Sequence, residues 1–182
     1  MTHKTDTPGP LGWEHATDDI PHSGLSSGRE ATANELASVA RALDLIACSS
    51  LRAEYRIAPT LGGRFHLSGR LRADVTQACV VTLEPVESTI EERFAAVFWR
   101  QEDMPAPESG ELAIDDEPER EPIVAGQIAV GRVVFESLAA ALDPFPRKPG
   151  AVLDWQPPAS TEAAGAKPES PFSALANLKP KG

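Results

Sequence analysis

Residues 41–72 hold six arginines, Arg41, Arg52, Arg56, Arg64, Arg70 and Arg72, against Asp44 and Glu54. The surplus is local, because the whole chain has 17 Lys and Arg against 27 Asp and Glu, a formal charge of −10. Guanidinium groups pair bidentately with phosphates, so arginines clustered on one surface can hold a nucleic-acid backbone even in an acidic protein. The competing reading is a solvated outer face in which Glu54 and Asp74 pair with some of them. Much of the negative charge sits elsewhere, in residues 102–121, where nine carboxylates face Arg120 alone. That stretch lacks the turn glycine and fixed ligand spacing of a calcium loop, so it reads as a solvated acidic insert or a partner-facing arm.

The other reactive side chains form no constellation. Gly24-Leu-Ser-Ser-Gly28 has the letters of a serine-hydrolase elbow, but that turn needs a buried strand before it. The preceding Asp18-Asp-Ile-Pro-His-Ser23 is polar, so the segment reads as a flexible lead-in to a helix. His3, His15, His22 and His66 share no helical spacing, and Cys48 and Cys79 are two thiols where structural zinc needs four ligands. Cys79 has the phase of a buried face and reads as a core thiol. No glycine loop of the phosphate-cradling type is present. The residues therefore name no catalytic group, metal or cofactor, and a non-enzyme is expected. Two cysteines exclude a disulfide framework, and the apolar runs are too short for a membrane helix. With no signal-like start, a cytoplasmic protein is expected.

The arginines depend on strands to position them. Leu51, Ala53, Tyr55 and Ile57 alternate with Arg52, Glu54 and Arg56. After Pro59-Thr-Leu-Gly-Gly63 the alternation resumes in phase: Phe65, Leu67, Leu71, Ala73 and Val75 against Arg64, His66, Ser68, Arg70, Arg72 and Asp74. Two such runs joined by a glycine-containing turn predict an antiparallel hairpin with one wet face. Parity places Arg52, Arg56, Arg64, Arg70 and Arg72, with His66, on that face. They are the candidate nucleic-acid contacts.

The second strand is expected to continue through Cys79-Val-Val-Thr-Leu83, and Thr89–Trp99 reads as another strand from its β-branched and aromatic content. Leu36, Val39, Ala40 and Leu43 predict a helix over Glu30–Leu43, begun at Ser27 or Gly28. Val134, Leu138, Ala141 and Leu142 predict a second over about Gly131–Leu142, ended by Asp143-Pro-Phe-Pro146. A short third helix at Phe172–Leu178 aligns Phe172, Leu175 and Leu178 as a candidate docking side. The expected class is α+β with a mainly antiparallel sheet, open or barrel-like. Between Pro21 and Pro105 only Pro59 and Pro85 occur, which marks the folded stretch. The expected organisation is a flexible segment 1–28, a domain 29–155 with a mobile acidic insert 102–121, a linker 156–170, and a helical tail 171–182.

Gly69-Arg-Leu-Arg-Ala-Asp-Val-Thr-Gln-Ala-Cys-Val-Val-Thr-Leu-Glu-Pro-Val86 is similar to the alphaproteobacterial branch of the YceD family. Phe94-Ala-Ala-Val-Phe98, Ile128-Ala-Val-Gly-Arg-Val-Val134, Leu138-Ala-Ala-Ala-Leu-Asp-Pro-Phe-Pro-Arg-Lys-Pro-Gly150 and Pro171-Phe-Ser-Ala-Leu-Ala-Asn-Leu-Lys179 extend the resemblance over roughly residues 30–180. It implies a non-enzymatic role in accumulation of 23S rRNA and assembly of the large ribosomal subunit. The implied partners are rRNA or a pre-50S particle, a ribosomal protein or another assembly factor, with no membrane and no small-molecule substrate. Many members carry a C-x-x-C pair where this chain has Cys79-Val-Val-Thr82, so a metal or redox role for that pair is not available here. Ala129 stands where the family has an acidic residue before the second helix, which removes a helix cap. The alternative is an adaptor that docks partners through its acidic insert and C-terminal helix without touching RNA.

Overall fold

The structure, a computed structural model, describes residues 9–104 and 119–152. In chain order it runs β1 (Glu14–Ala16), β2 (Leu25–Glu30), α1 (Ala33–Ala42), β3 (Ala47–Thr60), β4 (Arg64–Ala78), β5 (Pro85–Arg100), β6 (Glu119–Ile123), β7 (Gln127–Ala129) and α2 (Val130–Ala141). Strands β2 to β6 form one sheet in sequence order, antiparallel except for the parallel β5–β6 pair, and β1 pairs with β7 separately. The class is α+β. The larger sheet stays open at β2 and β6, so the barrel-like option is not realised.

The β3–β4 hairpin has the phase that alternation predicts. Leu51, Ala53, Tyr55, Ile57, Leu67, Leu71, Ala73 and Val75 are buried, while Arg52, Arg56, Arg70 and Arg72 are exposed. Gly69 lies on the buried side between Tyr55 of β3 and Phe94 of β5. A Cβ there would meet the Phe94 ring at 2.6 Å and the Glu54 carbonyl oxygen at 2.5 Å. The missing side chain leaves the space that the ring fills. Thr89–Trp99 is strand, as its β-branched and aromatic content predicts, and belongs to β5. The helices supply Val39, Val130, Val133, Val134 and Leu138 to the same core cluster as Ile57, Leu67 and Phe98.

Four expectations are corrected. The first helix begins at Ala33, not Glu30, because Thr32 and Glu35 form a reciprocal capping box. Thr32 N–H donates to Glu35 Oε2 at 2.9 Å, and Glu35 N–H donates to Thr32 Oγ1 at 3.4 Å. Residues 25–30 are instead an edge strand on β3, so all of the G-x-S-x-G letters but Gly24 lie in a strand and make no elbow.

Second, the described part of residues 1–28 is no flexible lead-in, since Leu11, Trp13 and Ile20 are core residues. The segment is held by backbone contacts that leave no periodic trace. Gly131 N–H donates to the Trp13 carbonyl at 2.9 Å, and Thr17 N–H to that of Gly126 at 2.9 Å. Ala129 offers α2 no side-chain cap, so the Trp13 carbonyl satisfies an amide of its first turn.

Third, β4 stops at Ala78, and residues 79–84 form the turn into β5. Cys79 N–H donates to the Glu84 carbonyl at 2.8 Å and Leu83 N–H to that of Cys79 at 2.9 Å. Val80 and Leu83, which suggested a strand, are exposed. Fourth, residues 119–121, grouped with the acidic insert by charge, are part of β6, where Glu121 is buried. Residues 105–118, the linker 156–170 and the Phe172–Leu178 segment lie outside the described residues.

Candidate nucleic-acid interface

Strand register arranges the outer face of the sheet in rows. One row reads Glu30, Arg52, Arg72, Glu91; the next Glu54, Arg70, Arg93; the next Ser26, Arg56, Ser68, Ala95. His66 and Val97 follow, with Arg120 of β6 beside Val97. All five predicted arginines are thus brought to one face, with Arg64 half-buried at the hairpin-tip end.

The carboxylates on neighbouring strands engage several of them. Arg70 Nη2 lies 2.6 Å from Glu54 Oε2, and Arg72 pairs with Glu91. Arg56 donates to Ser26 Oγ at 3.2 Å and to the Ser23 carbonyl. Arg52 and Arg64 form no ion pair among the described residues. The Arg70 hydrogen bond and charge hold the Glu54 carboxyl below its ordinary range. Asp74 does not pair with an arginine. Thr89 Oγ1 and Ser50 Oγ each donate to it at 2.7 Å, which lowers its pKa.

Charge is graded along the strands. The end toward the β4–β5 turn carries Glu30, Asp74, Glu87 and Glu91 against Arg52 and Arg72. Among the described residues, the outward rows of the hairpin-tip half carry Arg56, Arg64, Arg70, Arg93 and Arg120 with Glu54 as their carboxylate, while Glu102 and Asp103 follow β5 at the same end. Arg93 and Arg120 were missed in the sequence. Arg93 lies within Thr89–Trp99, where the strand is signalled by composition and not by a clean alternation, and Arg120 sits among the carboxylates of residues 102–121. Once β5 is a strand, the odd positions Glu91, Arg93 and Trp99 share its outer side.

Trp99 completes this end. The Arg64 guanidinium carbon lies 3.4 Å from the Trp99 ring centroid, and that of Arg120 5.7 Å away. Arg64 Nε and Trp99 Nε1 are both shielded from solvent and have no hydrogen-bond acceptor.

Other chemistry-bearing groups are occupied by the fold. Cys79 is buried, and its thiol accepts the Lys148 backbone N–H at 3.4 Å. With further donors from Thr82 this lowers its pKa from 9.0 to about 6. Burial pushes the Cys48 thiol the other way. Glu119, Glu121 and Glu136 bring carboxylate oxygens within 4.8 Å of one another. Arg132 already serves this cluster, 3.4 Å from Glu121 and 2.9 Å from Glu136. His15 Nε2 bonds the Tyr55 hydroxyl at 2.7 Å, with its pKa lowered chiefly by burial. No described helix is long and apolar enough to cross a membrane.

Residues 67–179 match the model of the family described as large ribosomal RNA subunit accumulation protein YceD. The match begins inside β4, so it takes in Arg70, Arg72, Arg93, Trp99 and Arg120 and leaves Arg52, Arg56 and Arg64 before it. No curated protein and no solved structure gives a significant match. The matched stretch exceeds half of the chain, which belongs to this family and so shares its role in large-subunit rRNA accumulation.

Proposed function

We propose that this YceD-family protein supports rRNA accumulation by binding 23S rRNA, free or in a pre-50S particle, through the hairpin-tip half of its outer sheet face. It catalyses no reaction there and works in the cytoplasm. The observation that carries this reading is the grading of charge along the face: among the described residues, the rows of its tip half hold five arginines and one carboxylate, in a protein of net charge −10. The acidic end of the same face repels a phosphate backbone, so contact is confined to the tip half. Such contact is electrostatic, and the log–log salt slope falls by roughly 0.7–0.9 for each phosphate contact removed. Changing Arg56, Arg70 and Arg93 together to Gln should flatten the slope for 23S rRNA fragments while leaving the unfolding temperature nearly unchanged. Identical slopes for variant and wild type would overturn the reading. In cells, loss of the gene should lower 23S rRNA and 50S subunits relative to 16S and 30S, including in cold growth.

One observation favours docking of a protein partner, at a surface other than the acidic insert and C-terminal helix expected of the adaptor. Val80, Leu83 and Phe145 are 46%, 77% and 69% exposed on two loops that touch each other. Exposed apolar groups rimmed by charge suit a protein partner. If Leu83→Ser with Phe145→Ser abolishes co-sedimentation with pre-50S particles but spares RNA binding, partner docking carries the function.

A further inference from the structure

We infer that Arg64 and Trp99 form a stacking platform for an unpaired nucleotide, which makes single-stranded rRNA the preferred ligand of the tip half. The inference rests on the RNA-binding reading and narrows it. Arg64 stands at the start of β4 and Trp99 near the end of β5, so the hairpin tip and the β6 edge frame the pair. At 3.4 Å from the ring centroid, the guanidinium lies at van der Waals contact with the indole, which fixes its orientation.

Hydrogen bonding separates Arg64 from some neighbours and burial from the others: Arg52 and Arg93 also lack a side-chain acceptor among the described residues but are exposed. Arg56, Arg70 and Arg72 already donate to protein oxygens. Arg64 has no such acceptor among the described residues, and its Nε and the Trp99 Nε1 are shielded and unmatched there. Buried donors without partners are costly. The neighbourhood offers little to relieve them: Arg120 contributes another cation, and Glu54 is engaged by Arg70. The Nη groups of Arg64, unmatched among the described residues but not shielded, are left for an acceptor-rich ligand from outside, and phosphate oxygens and base edges are acceptor-rich.

The choice between single strand and duplex follows from the π surface. Unpaired bases stack on aromatic rings and on arginine planes, whereas a duplex keeps its base faces inside its own stack. An A-form helix can reach Arg56, Arg70 and Arg93 through its phosphates without using the platform. Lysine keeps the charge of Arg64 but not the plane.

The test measures affinity of the intact chain for oligoadenylate and for a blunt RNA duplex of equal length, at several salt concentrations. Arg64→Lys and Trp99→Leu should each weaken the single strand on the order of tenfold, the scale of one stacked base, and the duplex less than about twofold. Arg64→Lys should keep the wild-type salt slope, and Trp99→Phe, which retains a ring, should keep most of the single-strand affinity. If Arg56→Gln/Arg70→Gln/Arg93→Gln flattens the slope while Arg64→Lys binds like wild type, the platform is wrong and the RNA reading stands. If the wild type binds neither RNA, both fall. An equal loss by Arg64→Lys on polyglutamate would reveal a general polyanion surface and overturn the platform.

Discussion

The backbone N–H of Lys148 donates to the Sγ of Cys79 at 3.4 Å, across 69 positions of sequence. Around it, Val80 N–H donates to the Pro146 carbonyl at 2.9 Å, Gln77 Nε2 to that of Asp143 at 2.9 Å, and Lys148 Nζ lies 3.0 Å from Glu84. Cys79-Val-Val-Thr-Leu-Glu-Pro and Asp-Pro-Phe-Pro-Arg-Lys-Pro, two of the pieces that carry the family resemblance, are therefore one structural unit. The single thiol serves here as an acceptor that pins the segment after α2 to the β4–β5 turn.

That role gives Cys79 a pH signature. Its pKa drops from 9.0 to about 6 on folding, chiefly through the Lys148 N–H. Between those values the unfolded chain binds more protons than the folded one, so stability rises with pH through this window and is lost as pH falls through about 6. Cys79→Ala should flatten this part of the profile and lower the denaturation midpoint most at the alkaline end. Parallel profiles for the two proteins would contradict the assignment.

Gly131 should resist substitution despite its place in a helix. In an ordinary helix interior, Gly→Ala stabilises by about 1 kcal/mol. Here the added Cβ would lie 2.4 Å from the Leu11 carbonyl oxygen and 2.9 Å from Leu11 Cβ. Gly131→Ala should instead destabilise by roughly 1–3 kcal/mol, the range of overpacked cores. Hydrogen exchange across residues 11–13 should accelerate, and urea denaturation measures the sign.

Arg132 compensates a buried charge. Glu121 is buried, which raises its pKa above 4.5, while Arg132 opposes the rise. Arg132→Leu should destabilise by about 2 kcal/mol near neutrality, below the 3–5 of fully buried pairs because Arg132 is half exposed. A raised folded pKa gives stability that is present below 4.5 and lost as pH climbs through the folded value. Without Arg132 that value rises further, so the deficit should shrink toward mildly acidic pH. A deficit independent of pH would show that packing, not charge, was removed.

Glu54 competes with any phosphate for Arg70 at 2.6 Å. Glu54→Gln should tighten binding of 23S rRNA fragments and steepen the salt slope by up to about 0.9, one phosphate's share. Filter binding at several salt concentrations checks it. Weaker binding would mean that Glu54 orients Arg70 for the ligand.

The hairpin and the outward parity of Arg52, Arg56, Arg70 and Arg72 were legible in the sequence because a period of two is local: each residue's side is set by its neighbours. The apolar spacing of α2 is legible for the same reason. The burial of Leu11 and Trp13 was not, because two isolated apolar residues carry no period, and their segment is held by the Trp13 carbonyl accepting from Gly131 N–H and by Thr17 N–H donating to the Gly126 carbonyl, far along the chain. The shift of the first helix start was written locally, in Thr32 and Glu35, three positions apart. What each arginine does on its face was decided only by strand order and register. These set Glu54 beside Arg70, Glu91 beside Arg72, and Trp99 beneath Arg64. Alternation assigns a residue to a side of the sheet, but only pairing between distant strands chooses its neighbour there, and that choice separates an engaged guanidinium from one stacked and left without an acceptor.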